Sequence, residues 1–244
     1  MRRILFSWRG QNIYSYPTML YAGLLVGVFV GAHVAQASGM SADRFAIAVI
    51  ILLIPALAGS RLYFILTRWD IYSHDPARIW RRTEGGMAMY GGFILVVPLS
   101  IPLLRSLGLP FGSFWDAAVL TILLGMAFTR IGCFLNGCCS GRPSDAWFAI
   151  SLPGHHGTLQ RRIPTQLMEM ALAMVLFGAA LTLRNYAPFP GAIFCFVVAA
   201  YGLGRSYLES LRDDETGGRD KTIIQATSIL LVFAALAGLA FVWM

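Results

Sequence analysis

Charge is what this 244-residue chain has least of: 13% of its residues are Asp, Glu, Lys or Arg, roughly half the share found in an ordinary soluble domain. Lysine is nearly absent, with Lys221 alone beside 18 arginines. Cysteine is scarce too. Of Cys133, Cys138, Cys139 and Cys195, three fall within seven residues, which is no spaced framework of secreted disulfides. The basic start at Arg2 and Arg3 is not followed by a short apolar core and a small-residue cleavage site, so no cleaved signal peptide is expected and the first apolar block serves as the insertion signal. Internal repeats and low-complexity segments are missing. These absences exclude a typical soluble enzyme, a disordered chain and a disulfide scaffold. The net charge of +7 has no soluble basic face to carry it, so no nucleic acid is expected as a partner. Anionic lipid headgroups fit better.

What the chain has instead is apolar length. Hydrophobic residues make up 57% of it and the mean hydropathy is +0.65. They fall in seven blocks, near 17–37, 45–66, 87–104, 114–136, 166–183, 189–209 and 222–244. Each approaches the twenty or so residues a helix needs to cross a bilayer. The expected fold is an all-α polytopic membrane protein, one domain over 1–244, with seven transmembrane helices. Polar stretches bearing Pro and Gly separate the blocks, the longest running from Gly137 to Thr165. A loop of that length in a compact membrane protein carries function or moves. Aromatic residues at block ends, such as Trp69, Trp80, Trp115 and Trp243, read as interfacial belts.

Charge inside hydrocarbon is expensive, yet Arg61, Arg130, Arg205, Glu169 and Glu209 lie within apolar blocks. Snorkelling from span ends explains any one of them; their grouping argues for more. Tyr201, Arg205, Glu209 and Arg212 are spaced 4, 4 and 3, which puts them on one helical face. Arg130, Cys133 and Gly137, spaced 3 and 4, share a face of the fourth span. All lie toward the same side of the membrane. The reading is a polar cavity open to one face, where buried arginines bind an anion such as a lipid phosphate. Glycines at Gly85, Gly86, Gly91, Gly92, Gly132, Gly137 and Gly141 allow irregular backbone around such a cavity.

At these residues the sequence resembles the prolipoprotein diacylglyceryl transferase family. The stretch Arg130 to Asp145, RIGCFLNGCCSGRPSD, is similar to that family's G-R-x-G-N-F-x-N-G-E-x-x-G-R signature. Further segments fall in the family's order: Tyr16 with Gly23, Gly59-Ser60-Arg61 with Tyr63, Trp80 to Gly92, Pro164 to Glu169, and Tyr201 through Arg205 and Glu209 to Arg212. The resemblance implies an enzyme of the bacterial inner membrane. It transfers the diacylglyceryl group of phosphatidylglycerol to the thiol of a prolipoprotein lipobox cysteine, forming a thioether, with the active face toward the periplasm. It implies Arg130 and Arg205 as catalytic arginines at the phosphodiester, and Glu209 orienting Arg205. It implies a substrate-binding set of Tyr16, Arg61, Asn136, Gly141, Arg142, Gln166, Tyr201, Glu209 and Arg212. Neither a cofactor nor a metal is expected from it.

The departures define open questions. The family's histidine before Gly-Gly, a general base there, is Tyr90 here; its signature asparagine is Cys133 and its signature glutamate Cys138. A tyrosine with an ordinary pKa of about 10 is a poor base for a thiol of about 8.5. Tyr90 serves only if arginines lower its pKa; otherwise phosphate departure carries the catalysis. Cys133, Cys138 and Cys139 are variants of site positions, and their C-x4-C-C spacing is not that of a zinc knuckle, even with His155 and His156 nearby. Structural packing or pocket lining is the plain reading for them; a zinc site shared with those histidines, and a redox pair or covalent intermediate on Cys138 or Cys139, are the alternatives. Orientation divides two arguments. The face bearing the motifs holds 13 of the basic residues against 3 on the other, which by the positive-inside rule makes it cytoplasmic; the family makes it periplasmic. Two other functions stay open: lipid transfer to a different acceptor, and non-catalytic lipid binding.

Overall fold

The computed structural model describes residues 2–75, 89–153, 158–213, 222, 225–230 and 232–233, with Ile71, Met89 and Tyr90 described by backbone alone. A hairpin opens the chain, β1 (Ile4–Trp8) against β2 (Gln11–Tyr14). Its two-residue turn puts Arg9 at φ 49° and Gly10 at φ 79°, the left-handed pair that the right-handed twist of a tight hairpin favours. Helices follow: α1 (Ser15–Ala37), α2 (Ala42–Thr67), the short α3 (Trp69–Tyr72), α4 (Met89–Leu107) and α5 (Phe111–Asn136). A second hairpin, β3 (Ile150–Pro153) with β4 (Leu159–Arg162), precedes α6 (Thr165–Leu183) and α7 (Ala192–Ser210). The all-α expectation is corrected by these two hairpins, both lying outside the apolar blocks.

Among the described residues, five helices are long and apolar enough to span a membrane: 15–37, 42–67, 111–136, 165–186 and 192–210. A shorter apolar helix covers Gly91–Leu107, where the third block stood. Pro98 and Pro102 sit inside α4, and Pro55 inside α2. The seventh block lies largely outside the described residues, although 225–230 are helical. Outward faces are apolar, with Leu25, Phe29 and Ile54 largely exposed, as lipid contact requires.

In lipid, helices associate through close packing rather than through exclusion of water. α1 presents Gly23, Gly27 and Gly31, one every four residues, all buried. A Cβ on Gly27 would lie 2.7 Å from the carbonyl oxygen of Thr121. The Thr121 hydroxyl uses that proximity and donates to the Gly27 carbonyl at 2.9 Å. Among the described helices, α1 and α5 thus form the most intimate pair. α2 and α4 form another, with Gly59 against Gly91.

Where α5 begins, the core is aromatic. Phe114 packs on Phe45 at 5.2 Å between ring centres, and Trp115 on Phe194 at 4.9 Å. Trp115 Nε1 donates to Ser100 Oγ at 3.2 Å. Beside them, Asp116 accepts the backbone N–H groups of Gly191 at 2.7 Å and Phe194 at 2.8 Å. A carboxylate on α5 therefore caps the start of α7, whose free N–H groups need acceptors. A cavity of about 360 Å³ lies at this end, lined by Ile101, Leu104, Arg105, Leu109 and Phe111, away from the motif residues.

Candidate active site

The motif residues gather at the other end, where α5 and α7 finish and α6 begins. α5 stops at Gly137, which adopts φ 75°, a conformation glycine takes without steric cost. The chain then turns sharply. Cys138 donates its N–H back to the Cys133 carbonyl at 3.1 Å, and Cys139 sits at φ 64°, strained for a residue with a Cβ. The first turn of α6 braces this reversal. Thr165 Oγ1 donates to the Cys139 carbonyl at 2.9 Å, and Gln166 Nε2 to the Cys138 carbonyl at 2.6 Å.

Beyond the turn, the chain runs between two other segments. Gly141 donates to the Ile163 carbonyl at 2.9 Å, and Arg142 to the Leu211 carbonyl at 3.0 Å. A Cβ on Gly141 would press on both of those carbonyl oxygens, at 2.9 and 2.8 Å, so only glycine fits without displacing the backbone. This narrow ladder ties together the end of α5, the start of α6 and the end of α7.

Inside the tie sits a charge cluster. Glu169 of α6 is 1% exposed. Its carboxylate pairs with Arg130 of α5, with Arg205 of α7 at 3.0 Å, and at 3.8 Å with Arg212 just past α7. Arg205 also holds Glu209 at 2.6 Å, one turn on, and Glu209 lies 3.8 Å from Arg212. Three guanidinium groups meet two carboxylates, so the described cluster carries one positive charge in excess. Buried ion pairs of this kind do not stabilise a fold by default; an uneven one is suited to an incoming anion. Accessibility is uneven too. The Arg205 side chain is 8% exposed, against 19% for Arg130 and 22% for Arg212. Arg205 is enclosed by carboxylates, while Arg130 and Arg212 have surface to offer a ligand.

The other expected site residues take varied positions. Tyr201 is buried one turn before Arg205 and interacts electrostatically with Arg130 and Arg205. Tyr16, in the first turn of α1, packs across Gly132 and lies within electrostatic range of Arg130 and the three cysteines. Asn136 ends α5, and its carbonyl accepts from Arg3 Nε at 3.2 Å. Gln166 is 1% exposed, and its Oε1 is buried without a hydrogen-bond partner among the described residues. Arg142 enters through its backbone, its side chain being exposed. Arg61 lies over the rings of Phe64 and Tyr72, at 5.7 and 6.0 Å, at the junction of α2 and α3. The Tyr90 side chain, Gly85, Gly86, His155 and His156 lie outside the described residues.

The cysteines come together. The Sγ atoms of Cys133, Cys138 and Cys139 all lie within 4.8 Å of one another. The Cys139 thiol is held below its ordinary pKa, first by hydrogen bonds from the Cys133 and Cys138 thiols and then by the Arg212 and Arg130 guanidinium groups. Sequence reasoning did not assign a role to Glu169 or Arg162. Glu169 stood in the Pro164–Glu169 segment; its signal was a buried acid facing arginines on two other spans. Arg162 is buried, pairs with Asp213 and donates to the Gly141 carbonyl at 3.2 Å, a backbone role no motif announces.

The family model described as prolipoprotein diacylglyceryl transferase matches residues 3–243. Among proteins similar to this one, the phosphatidylglycerol–prolipoprotein diacylglyceryl transferase of Halalkalibacterium halodurans is 30% identical over 235 residues, covering 92% of this chain and 81% of the relative. A protein of the same name from Finegoldia magna is 28% identical over 237 residues, covering 96% of this chain and 93% of the relative. One from Trichormus variabilis is 28% identical over 239 residues, covering 93% and 85%. With nearly its whole length matched, and with Arg130, Arg205, Arg212, Glu169 and Glu209 of its motifs meeting at one end of the helical bundle, this chain belongs to the prolipoprotein diacylglyceryl transferase family.

Proposed function

We infer that this protein transfers the diacylglyceryl group of phosphatidylglycerol to the cysteine thiol of a prolipoprotein lipobox, forming a thioether in lipoprotein maturation. The observation that carries the reading is the uneven cluster: three arginines share two buried carboxylates, and the two more accessible ones, Arg130 and Arg212, face the same space. A phosphodiester supplies the missing negative charge. As the bond between glyceryl carbon and phosphate oxygen breaks, charge grows on the departing glycerol phosphate. Fixed guanidinium groups stabilise that growth more than the ground state. Arg205, held by Glu169 and Glu209, fixes the Glu169 carboxylate against which Arg130 is set. Gln166 Oε1, buried without a hydrogen-bond partner among the described residues, is available to accept from a headgroup hydroxyl.

In this reading the protein lies in the bacterial inner membrane with seven spans around a lipid-headgroup cavity, and the cluster opens toward the periplasm. Two measurements test it. Purified protein is incubated with phosphatidylglycerol vesicles and a lipobox peptide. Thioether product is expected, and it should disappear with Arg130→Ala; headgroup release without peptide lipidation would point to another acceptor, and lipid binding without release to a non-catalytic role. A reporter fused to the C-terminus should be active in the cytoplasm; activity in the periplasm defeats the orientation.

A further inference from the structure

We propose that Cys133, Cys138 and Cys139 form a three-thiolate zinc site whose open fourth position takes the thiol of the acceptor cysteine. The inference rests on the transferase reading above and supplies what that reading lacks, a way to ionise the acceptor. The three sulfurs lie within 4.8 Å of one another. A tetrahedral zinc at about 2.3 Å from each sets them about 3.8 Å apart, a change side-chain rotation provides. Their positions come from two different pieces of backbone, the last turn of α5 and the reversal after Gly137. Cys139 keeps a left-handed backbone at φ 64°, a conformation a residue with a Cβ avoids unless its surroundings impose it. Here Thr165 and Gln166 impose it by holding the carbonyls of Cys139 and Cys138, which leaves the three thiols facing one another.

Three protein ligands with one open position is the arrangement of zinc sites that do chemistry, in contrast to closed four-ligand structural sites. The reaction alkylates a sulfur, so it needs a thiolate, and a thiol coordinated to zinc is deprotonated. Tyr90 stands where the family pattern has a base of suitable pKa, and metal activation removes the need for one. The site is also in the right place. Arg130 and Arg212 are within electrostatic range of the cysteines, so a sulfur on the zinc lies beside a phosphodiester on those arginines. A zinc trithiolate carries one negative charge, and Arg130 and Arg212 would then be shared between it and the phosphodiester rather than neutralised by either alone. In the step itself, the acceptor thiol binds zinc and releases its proton to water. Its sulfur then attacks the glyceryl carbon of phosphatidylglycerol. The carbon–sulfur bond forms as the carbon–oxygen bond breaks, and glycerol phosphate leaves with the electron pair.

Cobalt(II) reports such a site directly. The reduced, metal-stripped full-length protein in detergent should bind one Co²⁺ per chain with a thiolate charge-transfer band. The visible ligand-field bands should shift when a lipobox peptide is added, and stay unchanged with the same peptide carrying serine for cysteine. Cys138→Ser and Cys139→Ser should each weaken Co²⁺ binding at least tenfold. Stripping with a chelator should slow thioether formation at least tenfold, with recovery on adding Zn²⁺. The double variant C133N/C138E, which carries the residues of the family pattern, should lose the cobalt band; retention of the band overturns the ligand assignment. A reduced protein with no cobalt band, or product formation indifferent to chelation, overturns the proposal while leaving the transferase reading intact. A cobalt spectrum that ignores the peptide overturns the acceptor role. A peptide-sensitive cobalt spectrum without any thioether product supports the site and defeats the transferase reading instead.

Discussion

Each end of the bundle holds a carboxylate between helices, half-buried Asp116 at one and buried Glu169 at the other, and treats it in the opposite way. Where α5 begins, Asp116 is answered by two backbone N–H groups at 2.7 and 2.8 Å, and aromatic packing closes the space around it. Where α5 ends, Glu169 is surrounded by arginines from three segments, and the described cluster still has one positive charge to spare. The first end is locally settled and serves the fold. The second holds more guanidinium than carboxylate, an imbalance that suits it to an incoming anion. The difference separates a structural use of buried charge from a functional one without reference to any motif.

Replacing Glu169 with Gln should disturb the molecule most. It strands Arg205 in a buried site with only Glu209 to answer it, a change that costs about 3–5 kcal/mol; denaturant titration of the detergent-solubilised protein measures it. Arg130→Ala attacks the same end differently. It should lower kcat/KM for thioether formation by about 10²–10³ with the thermal midpoint little changed, because Arg130 is partly exposed. A large stability loss there, without loss of activity, would erase the contrast between the ends. Asp116→Ala tests the settled end. Loss of a helix cap should cost about 1–2 kcal/mol, seen in thermal unfolding, with kcat retained. The smallest effect concerns thiol reactivity in metal-free protein. Cys139 is held below the ordinary thiol range, whereas Cys138 is pushed above it, because its hydrogen bond with the Cys133 thiol, which lowers it, is outweighed by its hydrogen bond with the Cys139 thiol and by burial. Near neutral pH, iodoacetamide should therefore label Cys139 before Cys138, as mass spectrometry of the digested protein would read.

Much of this was legible in the residues. Apolar runs near twenty residues long mark spanning helices, because hydrocarbon demands both length and internal hydrogen bonding, and five described helices fall on five of the blocks. The spacing of Tyr201, Arg205, Glu209 and Arg212 placed them on one helical face; Arg205 does hold Glu209 one turn on, whereas Arg212 lies just past the end of α7 and still comes within 3.8 Å of Glu209. What spacing cannot convey is which side chains from different helices meet. The hub role of Glu169 depends on α6 starting where α5 and α7 stop, a matter of loop path. The hairpins escaped because their strands are four or five residues long, too short for a period to show. The cysteine spacing, measured against standard metal motifs, concealed that a helix end and a left-handed residue fold the three sulfurs together.

The mounting of α7 has a mechanical consequence. Its first residues hang from Asp116, and its last are strapped through Leu211 to Arg142 and Gly141. Both anchors belong to α5 or to the chain that leaves it. A rod fixed at both ends to its neighbour can neither slide nor tilt against it, so α5 and α7 travel as one stiff frame. The α2–α4 pair packs on itself through Gly59 and Gly91 and meets that frame through Phe45 on Phe114 and Ser100 under Trp115, so these two contacts govern any movement of the pair against it.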